Sequence, residues 1–93
     1  MGNIWSVYDK DGRLVLGISD EPGIFNFAKP PADEVDPVEC EFGTFQCYDV
    51  RVESQFLSLL DSMHDLEMFF EALLDQGYNI VAGQPRPGHF ARL

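Results

Sequence analysis

The period of the hydrophobic pattern changes to that of a helix near residue 54 of this chain. Before that point, short apolar runs with the character of strands are separated by segments rich in glycine and proline. After it, two stretches repeat apolar residues at intervals of three and four, which is typical of helices. Strands that come first and helices that follow predict an α+β fold rather than alternating βαβ units. We expect a small antiparallel β-sheet of four or five strands, built from two hairpins, with two helices packed on one face.

The first predicted hairpin occupies residues 3–19. It turns at Asp9-Lys10-Asp11-Gly12, a sequence suited to a type I turn closed by a glycine bulge. The cross-strand pairs predicted from this turn are Tyr8–Leu14, Ser6–Leu16 and Ile4–Ile18. Apolar side chains then lie on both faces of the hairpin, so we expect packing over each face or a partner over one of them.

A second hairpin is predicted over residues 38–48, VECEFGTFQCY. One continuous strand would divide its apolar residues between two faces. A two-residue type II′ loop at Gly43-Thr44 places them on one face, because glycine supplies the positive φ angle. Cys40 would then face Cys47. The predicted inner face comprises Cys40, Phe42, Phe45 and Cys47, and the exposed outer face comprises Glu39, Glu41, Gln46 and Tyr48.

Two helices are predicted after residue 54. Ser54 is suited to cap the first helix, and either Ser62 or Asp65 is suited to cap the second. Gly77 is placed to end the second helix. The apolar repeats are Phe56, Leu57, Leu60 and Met63 in the first helix, and Leu66, Phe69, Phe70, Leu73 and Leu74 in the second. Residues 78–83, YNIVAG, then predict a last short strand.

Two further segments have no clear secondary-structure pattern. Residues 20–37 contain four prolines around GIFNFA, which is either a short edge strand or an aromatic-tipped loop. Phe25 and Phe27 in this segment either fill the core, which we favour, or contact a partner. Residues 84–93 contain two prolines and two arginines and predict an irregular C-terminal tail.

Composition narrows the class of partner. At 93 residues and 45% apolar content, the chain is expected to fold as a single domain over residues 1–93. Its 16 acidic and 6 basic residues give a net charge of −10, which repels nucleic acid and anionic lipid and attracts basic surfaces. No apolar run of about 18 residues and no signal-peptide pattern is present, so we expect an intracellular, cytoplasmic protein. The start MGNIWS fits the N-myristoylation pattern at Gly2, but it lacks the basic patch that usually supports a single acyl chain.

No catalytic or metal-binding signature withstands inspection. Cys40 and Cys47 lack C-x-x-C spacing at a helix start, and adding His64 and His89 gives no zinc-knuckle spacing. We expect two buried thiols, with a cysteine- or metal-dependent activity left as a third hypothesis. The stretch YDKDGRLV resembles the D-x-D-G-[TV] motif of haloacid-dehalogenase-like phosphatases over four residues, but those enzymes need a parallel sheet in a chain more than twice as long. We therefore expect no enzyme activity, no cofactor and no metal.

Acidic residues are concentrated in the middle of the chain. Residues 30–85 hold twelve carboxylates and a single arginine, Arg51. Glu67, Glu71 and Asp75 follow one another at four-residue spacing, where each like-charge pair destabilises a helix by about 0.2–0.5 kcal/mol. This placement indicates either a solubilising surface or a binding surface for a basic partner.

In size and charge, the chain resembles small phage anti-CRISPR and anti-restriction inhibitors, which block proteins that handle nucleic acid. The first hypothesis is therefore a non-enzymatic inhibitor that binds the basic surface of a nucleic-acid-binding protein as a nucleic-acid mimic. The residues predicted to contact this partner are Glu39, Glu41, Asp65, Glu67, Glu71 and Asp75. The alternative is an immunity or assembly module that binds through an aromatic surface at Trp5, Phe25 and Phe27.

Overall fold

The structure, a computed structural model, describes residues 3–20 and 38–83. Five strands form one antiparallel sheet in the order β3-β4-β2-β1-β5, and two helices pack on one of its faces. The elements are β1 (Ile4–Tyr8), β2 (Leu14–Ser19), β3 (Val38–Cys40), β4 (Gly43–Cys47), α1 (Glu53–Ser62), α2 (Leu66–Asp75) and β5 (Asn79–Ala82). The predicted α+β fold is confirmed. The predictions for GIFNFA, for Phe25 and Phe27 and for the tail at 84–93 lie outside the described residues.

The hairpin of β1 and β2 turns where the sequence predicts. The Asp9 N–H donates to the Arg13 carbonyl (2.9 Å), and the Gly12 N–H donates to the Asp9 carbonyl (3.0 Å). Tyr8 lies opposite Leu14, as predicted.

Beyond that pair, the predicted register of β1 and β2 is wrong by one residue. The observed pairs are Val7–Leu16, Ser6–Gly17, Trp5–Ile18 and Ile4–Ser19 in place of Ser6–Leu16 and Ile4–Ile18. The reason is a β-bulge, in which Val15 is an extra residue of β2. The bulge brings Leu16 and Ile18 to the same face as Trp5 and Val7, and this face is covered by the helices.

The second hairpin is confirmed, but its turn lies at residues 41–42 and not at 43–44. Cys40 therefore lies opposite Gly43, and the predicted pairing of Cys40 with Cys47 is wrong. Because the turn moves by two residues, an even number, each side chain keeps its face of the sheet. Both cysteines therefore still lie on the helix-covered face. The turn is displaced because Gly43 is needed inside β4, where the backbone of β2 approaches it closely.

The main core lies between the sheet and the helices. Its buried members are Val7, Val15, Leu16, Ile18, Phe45, Cys47, Phe56, Phe69 and Leu73. Aromatic contacts join the layers, with Phe42 and Phe69 ring centroids 5.9 Å apart and those of Phe56 and Tyr78 5.3 Å apart. Neither helix of the described residues is long and apolar enough to cross a membrane.

The start of α1 differs from the prediction. Its N-cap is Val52, which makes no side-chain capping bond, so the predicted cap at Ser54 is wrong. The Val52 N–H donates to the Asp49 carbonyl (3.1 Å), and its side chain packs against the core, so the preceding turn sets the start of the helix. The apolar repeat agrees with the prediction: Phe56 is fully buried, while Leu57, Leu60 and Met63 pack at the core edge.

The ends of α2 agree with the prediction. The Asp65 carboxylate caps the helix by accepting a bond from the backbone N–H two residues later (3.0 Å), and Gly77 follows the helix at φ 94°. The predicted burial of Leu74 is wrong, since 54% of the residue is exposed. The buried stripe is centred on Phe69 and Leu73, and Leu74 lies about 100° further round the helix axis.

The second face of the sheet is also largely buried. Gln46 and Tyr48, predicted to be exposed, are only 9% and 1% exposed, and the Tyr48 hydroxyl donates to Gln46 Oε1 (2.7 Å). Tyr48 forms a second apolar cluster with Tyr8 and Leu14. Burial on both faces fits the two-sided apolar pattern of the first hairpin.

Candidate protein-binding surface

Two chain reversals, the β3–β4 turn and the junction between the helices, lie at the end of the sheet where β2 ends. Antiparallel pairing places Ser19 opposite Thr44. At the helix junction, His64 Nδ1 lies 3.9 Å from Glu41 Oε2 in the β3–β4 turn. We call this region the acidic end, and its carboxylates are Asp20, Glu39, Glu41, Asp61, Asp65 and Glu67. All six residues are exposed.

Four of the six carboxylates predicted to contact a partner belong to the acidic end, and the other two continue along α2. Glu71 and Asp75 are exposed one and two turns after Glu67, so the row extends over about 12 Å. Glu39 points differently, because its pairing with Thr44 places its side chain on the sheet face away from the helices. The six carboxylates therefore wrap around the acidic end and then follow α2.

The carboxylates of α2 have no compensating charge on their own helix. There is no basic residue in the last turn, where Asp75 meets the negative end of the helix dipole. Within residues 3–20 and 38–83, no ion pair involves Glu67, Glu71 or Asp75. Among the described residues, therefore, no basic side chain pairs with these three carboxylates.

The basic side chains of the described residues lie at the opposite end of the sheet. Arg13 Nε lies 3.2 Å from Asp9 Oδ2, and Arg51 Nη2 lies 2.7 Å from Asp49 Oδ2. The Arg51 hydrogen bonds hold the pKa of Asp49 below its ordinary value. With Lys10 in the β1–β2 turn, these arginines are the only lysine and arginine residues in the part of the chain that the structure describes. His64 is the one basic group at the acidic end in the same ranges.

Two members of the acidic end were not identified from the sequence. Asp61 lies in the last turn of α1, and Asp20 follows β2. Asp61 could have been found from its position four residues before the cap Asp65. Asp20 could not, because only the pairing of β2 with β4 brings it beside the β3–β4 turn.

The two cysteines lack the environment of a reactive thiol. Both are free, with Cys47 buried and Cys40 half-buried. Burial raises the pKa of Cys47 to about 11 and also raises the pKa of Cys40. Nucleophilic and metal-binding cysteines need the thiolate, which these raised pKa values disfavour. Among the residues that the structure describes, no group of three metal-ligating side chains is found, and His89 lies outside them.

The aromatic surface of the alternative hypothesis is described only at Trp5. Its ring packs edge-on against Phe70, with centroids 5.2 Å apart, and the residue is half-buried. Single exposed apolar residues lie elsewhere, at Val50, Met68, Leu74 and Val81. Trp5 thus has a packing role whether or not it contacts a partner.

Comparison with known proteins gives no relative from which a function could be transferred. The chain matches no protein-family model, and neither the curated proteins nor the solved structures include a significant match. The surface is therefore interpreted from its own geometry and charge.

Proposed function

We propose that this protein is a non-enzymatic inhibitor that binds a basic, nucleic-acid-binding protein through its acidic end and the outer face of α2. The observation that carries the proposal is the separation of charge along the molecule. Among the described residues, the arginines at one end pair with Asp9 and Asp49, whereas the one basic side chain at the acidic end is His64, near Glu41. Such a separation gives a directional field that attracts and orients a basic partner.

The placement of acids on α2 supports a binding role over a purely solubilising one. Solubility requires net charge, which any exposed position can supply. Here Glu67, Glu71 and Asp75 repel one another along one face, and Asp75 opposes the helix dipole, so the placement destabilises α2. A row of carboxylates over about 12 Å also matches the scale of successive phosphates on a nucleic-acid strand, which motivates the mimic.

The test is affinity capture from cell lysate with the full chain as bait, repeated with the double variant Glu67→Lys with Glu71→Lys. The wild-type chain should capture a basic protein that added DNA or RNA releases, and the double variant should lose it. The control is Asp11→Lys with Ser54→Lys, two exposed positions in the β1–β2 turn and the first turn of α1, which should retain the partner. Capture that is unchanged by the double variant would overturn the proposal.

The aromatic alternative gives the opposite result in the same assay. Binding through Trp5 would survive about 1 M salt, at which exposed charges are screened beyond about 3 Å, and Trp5→Ala would abolish it. Because Trp5 packs on Phe70, Phe70→Ala serves as the matched variant. Loss of the partner in both variants would indicate damaged packing, and loss in Trp5→Ala alone would indicate a direct aromatic contact.

A further inference from the structure

A small groove lies between β3 and α1, beside the acidic end. Its floor is formed by apolar side chains that the fold leaves incompletely covered, and its volume is about 280 Å³. The floor residues are Val38, Cys40, Leu57, Leu60 and Met63. This volume lies near the lower end of the range of small-molecule sites, about 300–1,000 Å³, and accommodates single side chains of a polypeptide.

The rim of this groove is acidic. Glu41 and Asp61 line it, together with His64; Glu39 also lines the groove, but its side chain is directed to the other face of the sheet. The side chains of Glu41 and His64 are 74% and 77% exposed, so their 3.9 Å contact leaves both free to meet another charge. An apolar floor inside an acidic rim is complementary to an apolar side chain flanked by lysine or arginine.

The edge of β3 adds a backbone element to the same groove. In the two-residue hairpin, the pair next to the loop, Cys40 and Gly43, is the hydrogen-bonded one. The N–H and carbonyl of Glu39, in the next pair, therefore point away from β4. Within the described residues no strand pairs with this edge of β3. An extended segment can hydrogen-bond there, as in β-strand addition.

We infer that this groove binds an extended, basic segment of a partner protein, which pairs with Glu39 at the β3 edge and inserts an apolar side chain between Leu57 and Met63. Alternation along the bound strand would direct apolar residues to the groove and the intervening basic residues to the other face of the sheet, on which the Glu39 side chain lies. The inference rests on the proposed function for its choice of a basic partner. It adds a defined recognition element that the α2 carboxylates do not supply.

The test uses a short fluorescent peptide of alternating valine and arginine, titrated into the full chain and followed by anisotropy. The comparison peptides replace every valine by serine or every arginine by glutamate. Only the parent peptide should bind well, and it should slow the alkylation of Cys40 in the groove floor. Equal binding of the serine peptide, absence of any binding, or unchanged Cys40 alkylation would each overturn the inference.

Asp61→Lys and Asp11→Lys form the pair of variants to compare. Both residues are exposed acids and both reversals change the net charge equally, but Asp11 lies in the β1–β2 turn at the opposite end of the sheet. Asp61→Lys at the rim should weaken binding of the peptide about tenfold, and Asp11→Lys should change it less than about twofold. Equal effects would overturn the groove assignment. Failure of the proposed function is seen separately, when Glu67→Lys with Glu71→Lys retains the lysate partner.

Discussion

Single residues decide where the β3–β4 hairpin turns. Gly43 has φ 141°, and a Cβ at this position would lie 1.9 Å from the Ser19 carbonyl oxygen of the neighbouring strand. From the sequence, Gly43 beside Thr44 predicts a turn, but the role of Gly43 in the structure is to allow the backbones of β4 and β2 to approach closely. The need for a residue without a side chain at this position arises only when β4 pairs with β2, so it cannot be predicted from local turn preferences.

Gly43→Ala should therefore destabilise the protein by about 2–3 kcal/mol, because either the backbone shifts or the Cβ overlaps Ser19. Gly12→Ala is the matched control. Gly12 also has a positive φ, 83°, but no atom lies within 4 Å of its would-be Cβ, so a loss of only about 1 kcal/mol is expected. Urea denaturation measures both. A Gly43 variant no less stable than the Gly12 variant would show that this close approach is not required.

Buried Cys47 and Tyr48 make the stability sensitive to alkaline pH. Burial raises the pKa of Cys47 from 9.0 to about 11, and it also raises the pKa of Tyr48. Above pH 9 the unfolded chain releases the Cys47 proton more readily than the folded chain does. The contribution of this thiol is thus complete below pH 9 and is lost as the pH rises towards 11.

The urea concentration at the unfolding midpoint should decrease as the pH is raised from 9 to 11, and this decrease should be less steep in Cys47→Ala. The variant is expected to be less stable at neutral pH, since Cys47 belongs to the core. The two proteins are therefore compared by the change of their urea midpoints with pH and not by the midpoints themselves. An identical pH dependence in the two proteins would show that Cys47 titrates normally in the folded state.

At the scale of elements, α2 combines a well-defined helix with an unfavourable surface. Asp65 caps its start and Gly77 ends it, whereas the exposed face carries acids at four-residue spacing.

Both helices, the two hairpins and β5 could be predicted because periodicity and turn residues are local signals. The bulge at Val15 could not, since it is favoured only once the helices cover one face of the sheet. The candidate site was predictable residue by residue on α2 but not at the groove, which depends on the packing of α1 beside β3.

Glu71→Lys should stabilise the protein by about 1 kcal/mol while weakening partner binding. The lysine would replace two like-charge pairs, with Glu67 and Asp75, by two attractive pairs. Glu71→Gln only removes the repulsion, so about half of that gain is expected. Urea denaturation at about 0.1 M and about 1 M salt separates the charge effect, which screening reduces. Loss of stability in Glu71→Lys would show that this carboxylate already has a stabilising role in the fold.

At the scale of the whole molecule, the order of the chain reversals separates the charges. The β1–β2 turn and the segment before α1 bring Lys10, Arg13 and Arg51 to one end, and the β3–β4 turn and the helix junction bring carboxylates to the other. The net charge of −10 does not predict how the charged side chains are distributed between the two ends of the sheet. This distribution follows from the strand order, which brings sequence-distant acids together and which the local sequence patterns do not specify.

We propose that partner binding depends on the position of the carboxylates and not only on their number. The most direct measurement is the affinity of the purified captured partner for the wild type, Glu67→Lys and Asp11→Lys, determined at about 0.1 M and about 1 M salt. Both substitutions change the net charge equally, but only Glu67 lies at the acidic end. We expect Glu67→Lys to weaken binding more than about tenfold at low salt and Asp11→Lys to change it less than about twofold, and we expect high salt to weaken binding of the wild type. Equal effects of the two variants, or an affinity independent of salt, would contradict this proposal.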